Sequence, residues 1–325
     1  MDNKTLIFIL LLALILLSAG CEKDNTPPVN NPTGTEFIAG NTVASESILR
    51  SIPDNYIDKA RQTLHVAYQH TSHGTHVSYG LFGLQDYKDG DDVKFGITNN
   101  KPTDNKLDFH DYALAGYAAD GEDASDLSRN ETAFIQATRN FLDDPVNADI
   151  NVVMWSWCNI AGHDVDINYL PGMQTLIEEY GPGGSKIGTG EGQRENAVHF
   201  IFMTGHANKN NNIGDKNPHD QAQLIIDFCN AHKYFCLDYY SIDTHDMDGK
   251  YWEDTGDNGN SDSYGGNFYQ DFQDDHSVGD GYYENKKAPG GSVTYGAHNT
   301  QHITANRKAF AMWWILARIA GWDGK

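Results

Sequence analysis

Short apolar segments alternate with segments of helical periodicity along most of this chain, and this alternation constrains the fold more than any other feature. The first predicted strand begins at Leu64. The other predicted strands cover 93–97, 150–157, 197–204 and 234–240. The predicted helices cover 44–63, 129–142, 171–180, 218–231 and 304–320. Strands that alternate with helices in this way predict an α/β protein with a mostly parallel, doubly wound sheet.

Residues 64–84 predict a buried strand, a polar turn and a helix. Ser72 lies in that turn, and Gly74 allows the backbone to turn tightly. In an open α/β sheet, ligands sit at the carboxyl ends of the strands, and a helix N-terminus offers N–H donors to an oxyanion. The pattern therefore predicts that Ser72 is an exposed nucleophile. Serine and threonine also cap helices, so a capping role for Ser72 or Thr75 is the alternative interpretation.

The first 20 residues form an apolar leader that is shorter than a comfortable membrane span and typical of a signal peptide. Its end, L-S-A-G-C, resembles a bacterial lipobox, and that resemblance implies cleavage before Cys21 and lipidation of this residue. A single transmembrane anchor is the alternative. Residues 21–43 are rich in Asn, Pro, Thr and Gly and predict a flexible tether, followed by a single domain over 44–325.

The charge of the chain and the residues after Cys21 bear on its location. The formal net charge of −22 argues against nucleic acid as a partner, because phosphate contacts require Lys and Arg. Glu22, Lys23 and Asp24 resemble the acidic export tag of surface lipoproteins. We therefore expect a protein in the bacterial cell envelope that a lipid anchors to the outer membrane, where it can face outward.

The remaining cysteines and one long segment complete the survey. Outside the cytoplasm, Cys229 and Cys236 are candidates for a disulfide, whereas Cys158 is predicted to sit in an apolar strand as a small buried residue rather than a nucleophile. Residues 243–297 are dense in Asp, Gly, Asn and Tyr and predict a long acidic loop that covers the domain. The D-x-D-G spacing at 246–249 is only an incomplete calcium pattern, so no cofactor is predicted.

Polar residues follow several of the predicted strands, and a histidine-containing loop precedes the last helix. Ser72 stands after the first strand, Gly116 and Asn159 stand after later segments, and His302 lies just before the closing helix. In order and placement these residues resemble the SGNH (GDSL-like) hydrolase superfamily. Three features depart from its pattern. The first block lacks the Gly-Asp pair before the serine, the third block, at Asn159, lacks the G-x-N-D wording, and Asn299 occupies the place of the aspartate of the last block.

The resemblance implies a flavodoxin-like three-layer α/β/α sandwich that cleaves ester groups, with acetyl groups on extracellular glycans as candidate substrates. It implies that Ser72 attacks, that His302 acts as the base, and that Asn299 holds the imidazole without supplying charge. Gly116 and Asn159 would bind the oxyanion. The residues expected to line the substrate site are His70, His73, His206, Asn208 and His298.

Two other functions stay open on the sequence alone. The first is a metal-dependent enzyme, because imidazole nitrogens are good zinc ligands. Its candidate ligands are His70, His73, His76, His206 and His298. The second is a non-catalytic glycan- or protein-binding lipoprotein on a hydrolase-like scaffold, since a fold does not by itself imply an activity.

Overall fold

Six parallel strands form the central sheet of the computed structural model, which describes residues 37–103 and 105–325. The strands, in chain order, are β1 (Ile38–Ala39), β2 (His65–Gln69), β3 (Asp108–Asp111), β4 (Val152–Trp155), β5 (His199–Met203), β6 (Cys236–Leu237), β7 (Asn260–Ser261), β8 (Gly266–Asn267), β9 (Ser277–Val278) and β10 (Gly281–Tyr282). The order across the central sheet is β1-β6-β5-β4-β2-β3. The other four strands form two small pairs outside it.

Helices pack against both faces of this sheet. They are α1 (Glu46–Ser51), α2 (Asp54–Thr63), α3 (Thr75–Leu84), α4 (Asp91–Lys94), α5 (Ala133–Asp143), α6 (Leu170–Tyr180), α7 (Pro218–His232), α8 (Tyr239–Thr244), α9 (Phe268–Asp275) and α10 (Ile303–Ile319). One hydrophobic core contains residues of α1, α2, α3 and α10, and a second contains residues of α5, α6 and α7.

Successive strand residues point to opposite faces, and both faces are buried. In β2, Val66 and Tyr68 belong to the first core and Ala67 to the second. In β4, Met154 lies in the first core and Trp155 in the second. Burial on both faces explains why these strands are continuous apolar runs in the sequence. The predicted three-layer α/β/α architecture is confirmed.

The closing helix α10 lies in the centre of the packing. Every residue from Ile303 to Arg318 is buried, so this helix has no polar face in contact with water. Its polar residues are bonded to other parts of the protein: Asn306 donates to the Tyr283 carbonyl, and Arg307 donates to the carbonyl oxygens of Ile242 and His245. Helix α10 therefore joins the sheet to the acidic segment that precedes it.

The strand order creates a crevice beside β2. From β2 the chain passes outward to β3 and then returns to β4 on the other side of β2. At such a switch point the connections leave in opposite directions, which opens a crevice at the carboxyl ends of the two strands. The turn after β2 carries Ser72, and the segment after β4 carries Cys158.

Two local predictions near the sheet are wrong. Residues 93–97 end the short helix α4 instead of forming a strand, and only Ile97 makes a single bridge, to Leu107. The helix predicted from residue 129 begins at Ala133, and the residues before it bond to other loops: the Glu131 carboxylate accepts from the backbone N–H of Asp164. The Ser128 hydroxyl accepts from the backbone N–H of Asn159.

Two further corrections concern the ends of the sheet. The predicted tether over 21–43 extends too far, since Ile38 and Ala39 form the edge strand β1 and pair with Cys236 and Leu237 of β6. Cys229 and Cys236 are both buried and free, so the disulfide prediction is wrong. The predicted leader and the lipidation site at Cys21 lie outside the described residues. Within the described ranges, no helix is long and apolar enough to cross a bilayer.

Candidate active site

A strained turn presents Ser72 at the carboxyl end of β2. The turn Ser72–Gly74 is a 3₁₀ helix that leads directly into α3. Ser72 has φ +43°, in the left-handed region that L-residues with a Cβ rarely adopt. A side chain at Gly74 would place its Cβ 2.4 Å from the His70 Cβ and 2.5 Å from the Ser156 Oγ. The tight passage between His70 and Ser156 therefore requires glycine at this position.

His298 is the histidine that contacts Ser72. Its Nε2 lies 2.5 Å from the Ser72 Oγ, although 226 residues separate the two in sequence. His298 also has a left-handed backbone, with φ +60°. Hydroxyl and imidazole are thus in the relation that a nucleophile and its general base require. The side chain of His298 is exposed, so the pair is open to solvent.

His302, predicted to be the base, is placed differently, and that assignment is wrong. Its ring is buried between Tyr282 and Tyr295, and its Nδ1 accepts from the backbone N–H of Asn285. Burial lowers the pKa of His302. His302 directly precedes α10 and helps to fix the loop that presents His298.

Asn299 was expected to hold the imidazole of the predicted base, His302, but its side chain bonds to other groups. Its Nδ2 donates to the Asp257 carbonyl and to the Thr304 hydroxyl, and its Oδ1 accepts from the Gln301 N–H. The side chain is buried. Asn299 therefore ties the loop to the acidic segment rather than to a catalytic histidine.

Three histidine rings form a stack beside Ser72. The ring centroid of His73 lies 3.7 Å from that of His206 and 4.6 Å from that of His298, and both pairs are close to parallel. His206 donates from Nδ1 to the Ala207 carbonyl at 2.6 Å. Burial, with the charge of His73, lowers the pKa of His206 to about 4. His206 is thus neutral at pH 7, and its Nε2 carries no proton.

Asp257 lies at the other end of His73. The distance from its Oδ2 to the His73 Nε2 is 3.5 Å, and both side chains are largely buried. Burial opposes the charged form of His73, but the contacts with Asp257 and Cys158 outweigh it and raise the pKa of His73 to about 9. Burial likewise opposes charge on Asp257, whose pKa is nevertheless lowered by its ion-pair contact with His73. His73 is therefore a buried imidazolium at neutral pH.

The other two histidines of the turn have structural partners. His70 bonds through Nε2 to Asp111 at 2.7 Å and is fully buried. His76 donates from Nε2 to the Ala297 carbonyl at 2.8 Å, and its Nδ1 lies 2.6 Å from the Tyr239 hydroxyl. Neither ring lies open to a substrate, so His70 does not line the site as predicted.

A buried ion pair lies beneath the histidine stack. The Nζ of Lys308 bonds to Asp243 at 2.5 Å, and neither side chain is exposed. Burial raises the pKa of Asp243 to about 6, while Lys308 acts in the opposite direction. Asp243 also accepts from the N–H of Ala207, directly after His206. The pair therefore fixes the loop after β5 against α10.

The five histidines proposed as metal ligands do not form a ligand set, because the three that lie together, His73, His206 and His298, do so as a stack of ring faces. His70 and His76 are bonded as described, and His73 faces Asp257. Within the described residues, no group of three or more His, Cys, Asp or Glu side chains has a geometry that could hold a metal ion. The metal-dependent alternative therefore has no support from the geometry.

The predicted oxyanion residues are in exposed positions. Gly116 lies in the 3₁₀ turn Ala115–Tyr117 after β3, and a Cβ there would meet nothing within 4 Å. Asn159 follows β4, and its Oδ1 accepts from the Ala161 N–H. Asn208 follows β5 and forms a bridge with Gly256, next to Asp257. The oxyanion roles of Gly116 and Asn159 stay predictions.

Cys158 was expected to be a buried residue of a strand, and the structure places it differently. It is partly exposed, and its Sγ lies 3.9 Å from the His73 Nδ1. β4 ends at Trp155, so Cys158 lies in the loop beyond the strand and beside Ser72 rather than within the sheet. The hydrogen bond with His73 lowers the pKa of Cys158 against the effect of burial, and Ser72 acts in the same direction.

Asp257 and Cys158 are the residues of this candidate site that sequence reasoning missed. Asp257 is one of many aspartates in the acidic segment, and no spacing distinguishes it from the others. For Cys158 a signal did exist, because it follows the strand next to β2 at the switch point, where functional residues concentrate.

Comparison with known proteins gives no match to this chain: no family model, no curated protein and no solved structure matches it significantly.

Proposed function

We propose that this chain is a serine hydrolase that cleaves ester groups, with Ser72 as the nucleophile and His298 as the general base. The contact of 2.5 Å between the Ser72 Oγ and the His298 Nε2 carries the proposal. The unprotonated Nε2 takes the hydroxyl proton as Oγ attacks the carbonyl carbon, and returns it to the leaving alkoxide. Water then releases the acyl group by the same route.

The surroundings of the pair support this chemistry. The left-handed backbone at Ser72 holds the hydroxyl outward, as strained turns at functional sites commonly do. Since no carboxylate among the described residues bonds to His298, its ring is oriented by stacking on His73. The positive charge of His73 adds to the field in which an oxyanion would form.

We propose ester groups on extracellular glycans, acetyl esters first, as the substrates. Tyr112 is 48% exposed, and its ring packs at a tilt against that of His70 just before the Ser72 turn, which offers a surface for a sugar ring. We also propose lipid anchoring at Cys21 to the bacterial outer membrane. An outward-facing anchor would bring the crevice to such glycans.

A fluorophosphonate probe tests the proposal. We expect the probe to label Ser72, as located by mass spectrometry, and to abolish hydrolysis of p-nitrophenyl acetate. Ser72→Ala should lose both, whereas Ser292→Ala, at an exposed serine away from the turn, should keep both. Folded protein that neither takes the label nor hydrolyses acetyl esters would favour the non-catalytic binding lipoprotein.

A further inference from the structure

We propose that Cys158 is a second nucleophile of this crevice, a thiolate that accepts acyl groups from activated esters. Its Sγ lies 3.9 Å from the His73 Nδ1, and the His73 Nε2 lies 3.5 Å from the Asp257 Oδ2. A nucleophile, an imidazole and a carboxylate therefore follow one another in the order of a catalytic triad. The proposal goes beyond the serine hydrolase, because it uses a different nucleophile and a different histidine.

The charges of the groups around Cys158 favour its thiolate form. A thiol becomes a good nucleophile when it lies beside a protonated histidine. The side chains that face Cys158 are His73, Ser72 and Asp126, of which only Asp126 disfavours the anion. The groups that face His73 from its other sides are Asp257, His206, His298 and His76. Asp257 is the only anion among those four, and it holds the proton on His73.

Exposure separates Cys158 from the other cysteines of the described domain. Cys158 is partly exposed, whereas Cys229 and Cys236 have no exposed surface. Cys158 contacts His73, and His73 stacks on His298, the partner of Ser72, so an acyl carbon bound for attack by Ser72 lies within the same crevice.

The proposed step conserves atoms and charge. The Cys158 thiolate attacks the ester carbonyl, the S–C bond forms, and the C–O bond to the leaving group breaks. His73 gives its Nδ1 proton to the departing alkoxide and becomes neutral. Water then attacks the thioester while His73 takes one of its protons, which releases the carboxylic acid and restores the thiolate beside the imidazolium.

The first experiment measures alkylation of the full chain by iodoacetamide, with mass spectrometry that resolves each cysteine. A free thiol with a pKa near 8.5 reacts about 80-fold more slowly at pH 6 than at pH 8, in proportion to its thiolate fraction. We expect less than about a tenfold difference at Cys158, because a neighbouring imidazolium keeps the thiolate populated at pH 6. The same cysteine in urea-unfolded protein is the control and should show the full difference.

Substitutions of His73 and Asp257 test whether these two residues are responsible for the pH dependence of alkylation at Cys158. His73→Ala should restore the pH dependence of a free thiol at Cys158, and Asp257→Asn should move the rates the same way. Asp257→Asn also serves as the test if His73→Ala does not fold. A native wild-type rate that falls about 80-fold from pH 8 to pH 6, like that of a free thiol, would overturn the proposal. So would rates at Cys158 that neither substitution changes.

The second experiment tests acyl transfer in Ser72→Ala protein. After p-nitrophenyl acetate and an acid quench, we expect an acetyl group on Cys158, and none on residue 158 when Cys158→Ser is added. Absence of the acetyl group from Cys158 would overturn the acyl-accepting role. Failure of the fluorophosphonate to label Ser72 would overturn only the serine hydrolase, so the two proposals fail separately.

Discussion

Replacing Ser72 by glycine is expected to give a more stable protein than replacing it by alanine, although both changes remove the nucleophile. Both variants lose the bond to His298, so that loss cancels in the comparison. At φ +43° a residue with a Cβ pays about 1–2 kcal/mol in backbone strain. Glycine relieves that strain but loses about 0.5–1 kcal/mol more backbone entropy on folding. The net expectation is that Ser72→Gly exceeds Ser72→Ala by about 0.5–1 kcal/mol in free energy of unfolding.

Equilibrium urea unfolding of the two variants measures this difference, with esterase activity as the second readout. Ser292→Gly against Ser292→Ala provides a control pair at an exposed serine away from the strained turn. An alanine variant as stable as the glycine variant, or more stable, would refute the claim that the Ser72 turn is strained. Hydrolysis retained by both variants would instead remove Ser72 from the mechanism.

Three further predictions follow from the site and the leader. His298→Ala should lower kcat for ester hydrolysis by about 10²-fold or more, whereas His302→Ala should mainly lower stability; equal losses of kcat in folded protein would contradict the assignment. The pKa of His73 is raised to about 9 in the folded protein. The contribution of protonated His73 to the free energy of unfolding is therefore complete below pH 6.5 and is lost as the pH rises through 9. The unfolding free energy of the wild type should therefore exceed that of Asp257→Asn at pH 7 by up to about 3 kcal/mol, and by less at pH 10; a difference independent of pH would contradict the pairing. Finally, Cys21→Ser should release the protein from the membrane fraction on cell fractionation, and normal processing with full membrane association would exclude lipidation.

The fold was largely predictable because burial leaves a direct mark on the sequence. Strands covered on both faces must be apolar throughout, as Val152–Trp155 and His199–Met203 largely are. The position of Ser72 was also predictable, since a strand, a polar turn and a helix fix where the turn residue lies. Edge elements were less predictable: Ile38–Ala39 is too short to stand out from the polar sequence around it.

The partner of Ser72 was not predictable from spacing. His298 and His302 lie four residues apart in one loop, so spacing does not distinguish them. His298 contacts Ser72 with its backbone in the left-handed conformation, which the sequence does not reveal. Asp257 is positioned by tertiary contacts, among them the bridge between Asn208 and Gly256. Such contacts join segments distant in sequence, and no local pattern reports them.

The central position of α10 has a consequence for biosynthesis. Helix α10 follows every other described element in the chain, so the first core and the loop that carries His298 stay incomplete until this helix has been synthesised. Contacts between such distant segments also slow folding, because the chain must close long loops before it gains their stabilisation. A product that terminates before Ile303 would expose the apolar face around Val66 and Tyr68. Truncations that remove α10 should therefore be as damaging as truncations much earlier in the chain.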